Sequence, residues 1–243
     1  MLITAESTVA DIATHAPATI AVFQRHQIDF CCGGRSPLAS VCAERQIDPA
    51  ALLVELEAAI TPHADLPSWA DATLTSLAAH IERRYHEPLR AELPRLEAMI
   101  TKVVSRHGDH LPDVLLPLQD TFATLQRELL EHMQREDVVL FPVIVALEAG
   151  RPVPIADAAT WIQTPIAVME AEHEQAGAAL QTMRDLTSGY APPEWACPTF
   201  RGLYFGLSQL EADMHVHVHL ENHILFPRAA ALSRAGADAS TND

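Results

Sequence analysis

Between residues 71 and 232 the apolar positions recur every three or four residues in four long stretches, the period of amphipathic helices. The first stretch, about Asp71 to Arg106, carries Leu74, Leu77, Ile81, Leu89, Leu93 and Leu96. Pro88 and Pro94 lie inside it and are expected to kink it. The second, about Asp113 to Ala149, carries Phe122, Leu125, Leu129, Leu140 and Val143. The third spans about Pro165 to Thr187, with Ile166, Met169, Leu180 and Met183, and the fourth about Thr199 to Leu232. The connections, His107 to Pro112, Gly150 to Asp157 and Ser188 to Pro198, are short and rich in polar residues, Gly and Pro. Four such helices predict an all-α, up-down-up-down four-helix bundle.

The segment before it reads as a small helical domain, residues 1–62. Ser7 or Thr8 caps a helix through Val9, Ile12 and Ala13, and Pro17 opens a second with Ile20, Val22 and Phe23. A turn at Cys31-Cys32-Gly33-Gly34 follows. Ser36 is placed to cap a third helix with Pro37 at its first position, and Asp48-Pro49 opens a fourth through Leu52, Leu53, Leu56 and Ile60. Residues 63–70 read as a linker, 71–234 as the bundle, and the small polar residues 235–243 as a disordered tail.

Composition narrows the partners. The 243 residues carry a formal charge of −16, which disfavours nucleic acid and anionic membrane surfaces. No apolar run reaches the roughly 20 residues of a membrane helix, and the N-terminus has neither a basic start nor an apolar stretch. Four cysteines, two of them adjacent, do not form a secreted disulfide framework, so a reducing, cytoplasmic setting is expected.

The chemistry sits in an internal repeat. His132-Met-Gln-Arg-Glu136-Asp-Val-Val-Leu140-Phe141-Pro142 returns as His217-Val-His-Leu-Glu221-Asn-His-Ile-Leu225-Phe226-Pro227, at a constant offset (217 − 132 = 85). A His and a Glu four apart share one helix face. Two such faces turned toward each other gather two imidazoles and two carboxylates. Helices one and three add His86 and His173, 87 apart (173 − 86 = 87). The candidate metal set is His86, His132, Glu136, His173, His217 and Glu221. Imidazole and carboxylate without thiolate suit iron, manganese or zinc, and six ligands serve two ions with both Glu bridging. A lone core histidine is an ordinary residue. Two repeated His/Glu pairs on apolar stripes are costly to bury unless something pairs them.

Two further features stand apart. His215, His219 and His223 also recur every four residues, but the stripe is not repeated 85 residues earlier, and it is expected to face solvent or an interface. Cys31 and Cys32 precede a helix start and Arg35, which should favour thiolate. They are candidate reactive, redox-active or metal-handling thiols; alternatively, one packs in the small core and the other is incidental.

Taken in order, these motifs resemble the Repair of Iron Centres family of YtfE- and ScdA-like proteins. Ile28-Asp29-Phe30-Cys31-Cys32-Gly33-Gly34 is similar to the end of that family's N-terminal domain, and the bundle to its haemerythrin-like domain. His86 after Tyr85, His132 with Glu136, His173 within Glu170-Ala-Glu-His-Glu-Gln-Ala-Gly177, and His217 with Glu221 match its four ligand motifs. The resemblance implies two iron ions in an oxo- and carboxylate-bridged centre. It implies repair of iron–sulfur clusters damaged by nitric oxide or oxidative stress, through donation of iron. Damaged or apo iron–sulfur proteins would then be the partners, and nitric oxide or oxygen the small ligands. Reduction of nitric oxide, or oxygen binding and sensing, are the alternative functions, and a homodimer is left open.

Overall fold

The computed structural model describes residues 3–60, 69–151 and 161–240. Most of the expected linker, most of the Gly150 to Asp157 connection and the last three residues of the tail lie outside them. The described residues are helical apart from turns and one isolated bridge between Thr8 and Pro37, which confirms the all-α class. The chain divides into two compact units. One comprises Met1–Ala78, Ile144–Gln163 and His215–Asp243; the other comprises Ala79–Val143 and Thr164–Met214.

In the first unit, α1 (Val9–His15) is capped by Thr8, whose Oγ1 accepts the Asp11 amide at 3.1 Å. A short 3-10 turn, Pro17–Thr19, leads into α2 (Ile20–Arg25). Then α3 (Leu38–Arg45) begins one residue later than expected. Pro37 is its cap residue, its carbonyl accepting the Val41 amide, and its ring has no polar atom to cap with; the Ser36 carbonyl instead accepts the Val9 amide. Asp48 starts α4 (Pro49–Ile60) by accepting the Ala50 amide at 3.0 Å. Val9, Ile12, Phe23, Phe30, Leu38 and Leu52 form a closed core, and Val216 of the last long helix packs against it. The N-terminal module and the end of the chain therefore share one unit. Gly34 is required where the turn meets α1: a Cβ there would lie 2.5 Å from the Phe30 carbonyl oxygen and 2.9 Å from Ala10.

The first long helix is α5 (Leu74–Ile81), a π-helical turn (Glu82–His86) and α6 (Glu87–His107). The second is α7 (Pro112–Arg135), a π turn (Glu136–Leu140) and α8 (Phe141–Glu148). The third, α9 (Gln163–Leu186), is continuous. The fourth is α10 (Pro198–Leu220), a π turn (Glu221–Leu225) and α11 (Phe226–Ser240). Helical backbone thus continues past residue 234, where the tail was expected to begin; the Ala-rich residues that follow are good helix formers.

Each π turn stops two residues before a proline: Pro88, Pro142 and Pro227. A proline has no amide to donate, so the turn before it widens without losing a further bond. The residue just before each proline closes the wide turn, Glu87 onto Glu82, Phe141 onto Glu136 and Phe226 onto Glu221. Pro94, one of the two expected kinks, sits inside regular α6.

Within the second unit four helical segments pack as neighbours. Gln126 bonds Glu97 and His86 bonds Asp137, which sets the first two antiparallel. His132 bonds Glu172 across to α9, and Arg184 of α9 grips Glu211 of α10. Arg84 bonds Asp213, and Gly206 lets α10 approach α6 so closely that a Cβ would lie 2.6 Å from Leu96. The up-down arrangement of the first, second and fourth segments follows from these registers.

Candidate metal centre

Three of the sequence-selected ligands, His86, Glu136 and Glu221, lie in π turns. One such turn adds a residue to the helix and rotates the side chains that follow, a local device common at functional sites.

In the second unit His86, His132, Glu136 and His173 come together. His132 Nε2 is 3.2 Å and His86 Nε2 3.5 Å from Glu136 Oε2. His173 Nε2 is 3.0 Å from His132 Nε2. All four side chains are buried, and Glu136 is fully so. Phe141, the aromatic that closes the repeat, stacks on His86 with ring centroids 5.6 Å apart.

The outer ring nitrogens decide what the inner ones offer. His86 Nδ1 donates to Asp137 Oδ1 at 2.7 Å, and Arg90 holds the other oxygen of Asp137. His132 Nδ1 donates to Glu172 Oε2 at 2.7 Å, and Arg135 holds Glu172 at 2.7 and 2.8 Å. A neutral imidazole with its proton on Nδ1 turns a lone pair out of Nε2. In the neutral rings the His86 Nε2 lone pair faces a carboxylate that can only accept, and that of His132 lies between Glu136 and the His173 Nε2. Neither Glu136 oxygen takes a hydrogen bond among the described residues. Acceptors that crowd one another in a dry interior repel, and a cation between them reverses the sign. The donor set fits a metal ion that favours nitrogen and oxygen ligands.

Burial pushes the Asp137 and Glu172 carboxyls up, but the bonds from their histidines and arginines outweigh it and hold both below their ordinary values. Both carboxylates escaped the sequence reading. Their signal was adjacency: Asp137 follows Glu136, and Glu172 precedes His173.

In the first unit His217 Nε2 and Glu221 Oε1 lie 3.0 Å apart on one helix face, both fully buried. Of the surplus histidines, His219 is buried and His215 and His223 are half-buried, so the stripe is an interface rather than a solvent face. His219 Nδ1 donates to the Phe30 carbonyl at 3.0 Å, and its Nε2 lies 3.3 Å from Thr14 Oγ1. Burial and the neighbouring His223 push His219 down to about 4, so its ring is neutral at pH 7. His223 Nε2 donates to the Cys31 carbonyl at 2.6 Å.

The cysteine turn differs from expectation. Asp29 accepts the amides of Cys31, Cys32 and Gly33 at 2.8, 3.0 and 2.8 Å. The Cys31 sulfur lies 3.2 Å from Asp29 Oδ1 and 3.8 Å from Cys32 Sγ. The bond to Cys32, then burial and the charge of Asp29, hold the Cys31 thiol well above its ordinary range. Cys31 is a buried thiol, not the thiolate expected from the following helix. The bond to Cys32, the loss of water and the negative charge of Asp29 outweigh the helix dipole.

A family model described as "Hemerythrin HHE cation binding domain" matches residues 77–229, and one described as "Domain of Unknown function (DUF542)" matches residues 5–60. The iron-sulfur cluster repair protein ScdA of Staphylococcus haemolyticus is 38% identical over 93% of this chain and 98% of its own. The chain belongs to this family of haemerythrin-type proteins. The iron-sulfur cluster repair protein YtfE of Yersinia pseudotuberculosis is 37% identical over 90% of this chain and 94% of its own, and that of Yersinia pestis is equally similar. The haemerythrin match spans all six selected ligands, and the other match contains the cysteine turn. Among the described residues, no helix is long and apolar enough to cross a membrane.

Proposed function

We propose that this protein repairs damaged iron–sulfur clusters by donating iron, and that His86, His132, Glu136, His173, His217 and Glu221 hold two iron ions with Glu136 and Glu221 bridging. Glu136 carries the reading: a fully buried carboxylate without a hydrogen bond, faced by two imidazole nitrogens whose protons are turned outward. The names of the ScdA and YtfE relatives point to the same role. The bound metal would supply one-electron chemistry and releasable iron. The chain orients imidazole lone pairs through Asp137 and Glu172 and keeps bulk water from the carboxylates. Imidazole and carboxylate hold iron less firmly than four thiolates, so transfer to a damaged or apo iron–sulfur protein is favoured. The thiols of Cys31 and Cys32, which form no disulfide, assist that release, in keeping with a reducing cytoplasm.

The test is metal content per chain on protein purified without added metal, followed by mixing the reduced protein with an apo cluster protein. The expectation is about two irons per chain and their transfer. A single zinc, or iron that stays bound, would overturn it. Replacing Cys31 and Cys32 by Ala should spare the metal and slow transfer; loss of metal would instead make the thiols ligands. One observation favours a second reading. A cavity of about 240 Å³, lined by Leu125, Leu129 and Ala176 and by the polar Glu128, Arg135 and Glu172, reaches His132 and His173 and admits a diatomic molecule. Sustained production of nitrous oxide from nitric oxide would establish a reductase. Reversible oxygen binding would establish a sensor or carrier.

A further inference from the structure

The stripe His215, His219, His223 belongs neither to the repeat nor to the ligand set, yet His219 is buried and the other two are half-buried against the N-terminal module. Its targets are specific. His219 and His223 donate to the carbonyls of Phe30 and Cys31, two consecutive peptides that lead into the thiol pair. The Phe30 ring meets His215 and His219 edge-on, at 6.1 and 5.6 Å. Thr14 of α1 pins the far nitrogen of His219. On the other side of the turn, Asp29 gathers the three amides of Cys31, Cys32 and Gly33. The thiol-bearing loop is thus held by its amides from within the module and by its carbonyls from the helix. Glu221 lies midway between the two donors in sequence, and His223 is part of the π turn that Glu221 opens.

From this we infer that His219 and His223 are positioning residues: a two-point latch that seats the Cys31-Cys32 turn on the helix carrying Glu221. The latch works through ring N–H donors to backbone oxygen, so it does not depend on the thiols being reduced or ionised. It rests on the proposed role of the thiols only for its purpose, not for its existence. A latched turn presents Cys32, the half-exposed member, at a constant position and keeps Cys31 shielded. An unlatched turn exposes both.

The experiment is alkylation of the full-length protein with iodoacetamide, followed residue by residue by mass spectrometry. His223→Leu and His219→Leu each remove a donor. His223→Gln and His219→Asn restore an N–H near Nε2 and Nδ1. Cys42, fully buried in the core of the same module, is the internal control. The expected result is alkylation of Cys31 about fivefold faster or more in the Leu variants, as for loss of one hydrogen bond that holds a local segment closed. Cys42 should stay protected, and the Gln and Asn variants should return toward the parent rate. Unchanged Cys31 reactivity would overturn the latch. So would a parallel rise at Cys42, which would mean the histidines merely stabilise the module. A chain that binds no iron would sink the donor reading and leave this measurement intact.

Discussion

Substituting Glu136 by Gln should stabilise the metal-free protein while removing its response to metal. Glu136 is fully buried, and its neighbours at 3.2 and 3.5 Å are imidazole nitrogens whose protons lie on the opposite ring edge. Removing an ion of this size from water costs several kcal/mol after relaxation, and nothing in the second unit returns that cost by hydrogen bonding. Gln has the same shape and no charge, and its amide can donate to an Nε2 lone pair. Its oxygen remains poorly satisfied, at about 1–3 kcal/mol. The difference is a net gain of about 2 kcal/mol in the metal-free state. For a chain of this length that raises the midpoint by about 4–8 °C. With iron the order reverses, because the parent gains binding free energy and the variant has lost a ligand. The assay is thermal unfolding at a pH well above the carboxylate range, without and with ferrous iron under anaerobic conditions. A metal-free variant that melts at or below the parent would refute the claim that Glu136 is a desolvated charge awaiting a cation.

Asp137→Ala removes the acceptor that fixes the His86 tautomer and should weaken iron retention about 10–100-fold, read by competition with a chelator. Parent-like retention would show that the His86 to Asp137 bond is incidental. Arg184 binds Glu211 through Nε and Nη2 at 2.5–3.1 Å with both side chains largely buried. Arg184→Ala should cost about 3–5 kcal/mol in urea unfolding, and Arg184→Met less, if the cost tracks its buried charged partner. Glu148 accepts the Leu74 and Thr75 amides at 2.7 and 2.8 Å. Burial raises its carboxyl, but these bonds and the Thr75 hydroxyl bring it below its ordinary 4.5. A depressed folded value means the contribution is complete above about 4.5 and is lost as pH falls through the folded value. Glu148→Gln should therefore flatten the acid limb of the stability curve, and an unchanged limb would place the acid sensitivity elsewhere.

The long helices were legible because each writes its apolar stripe locally, and Thr8, Asp48 and Pro49 mark starts by side chains that act within three residues. The cap at Ser36 was misplaced by one residue because its carbonyl is claimed by α1, a partner far along the chain. The thiolate expected at Cys31 rested on a local helix start. What decided its state was the bond to Cys32, the exclusion of water and the Asp29 carboxylate beside it.

By itself, the sequence determined that this is a helical protein and which face of each helix bears His and Glu, because a four-residue spacing becomes a shared face through backbone geometry alone. It also contained the Leu-Phe-Pro punctuation, although not its meaning as π turns. Tertiary structure alone decided which ring nitrogens turn inward, since that depends on Asp137 and Glu172 arriving from neighbouring helices. It also decided that His219 and His223 grip a backbone some 190 positions away in the chain. Desolvation and hydrogen-bond partnership are properties of what surrounds a group, and no local pattern encodes them.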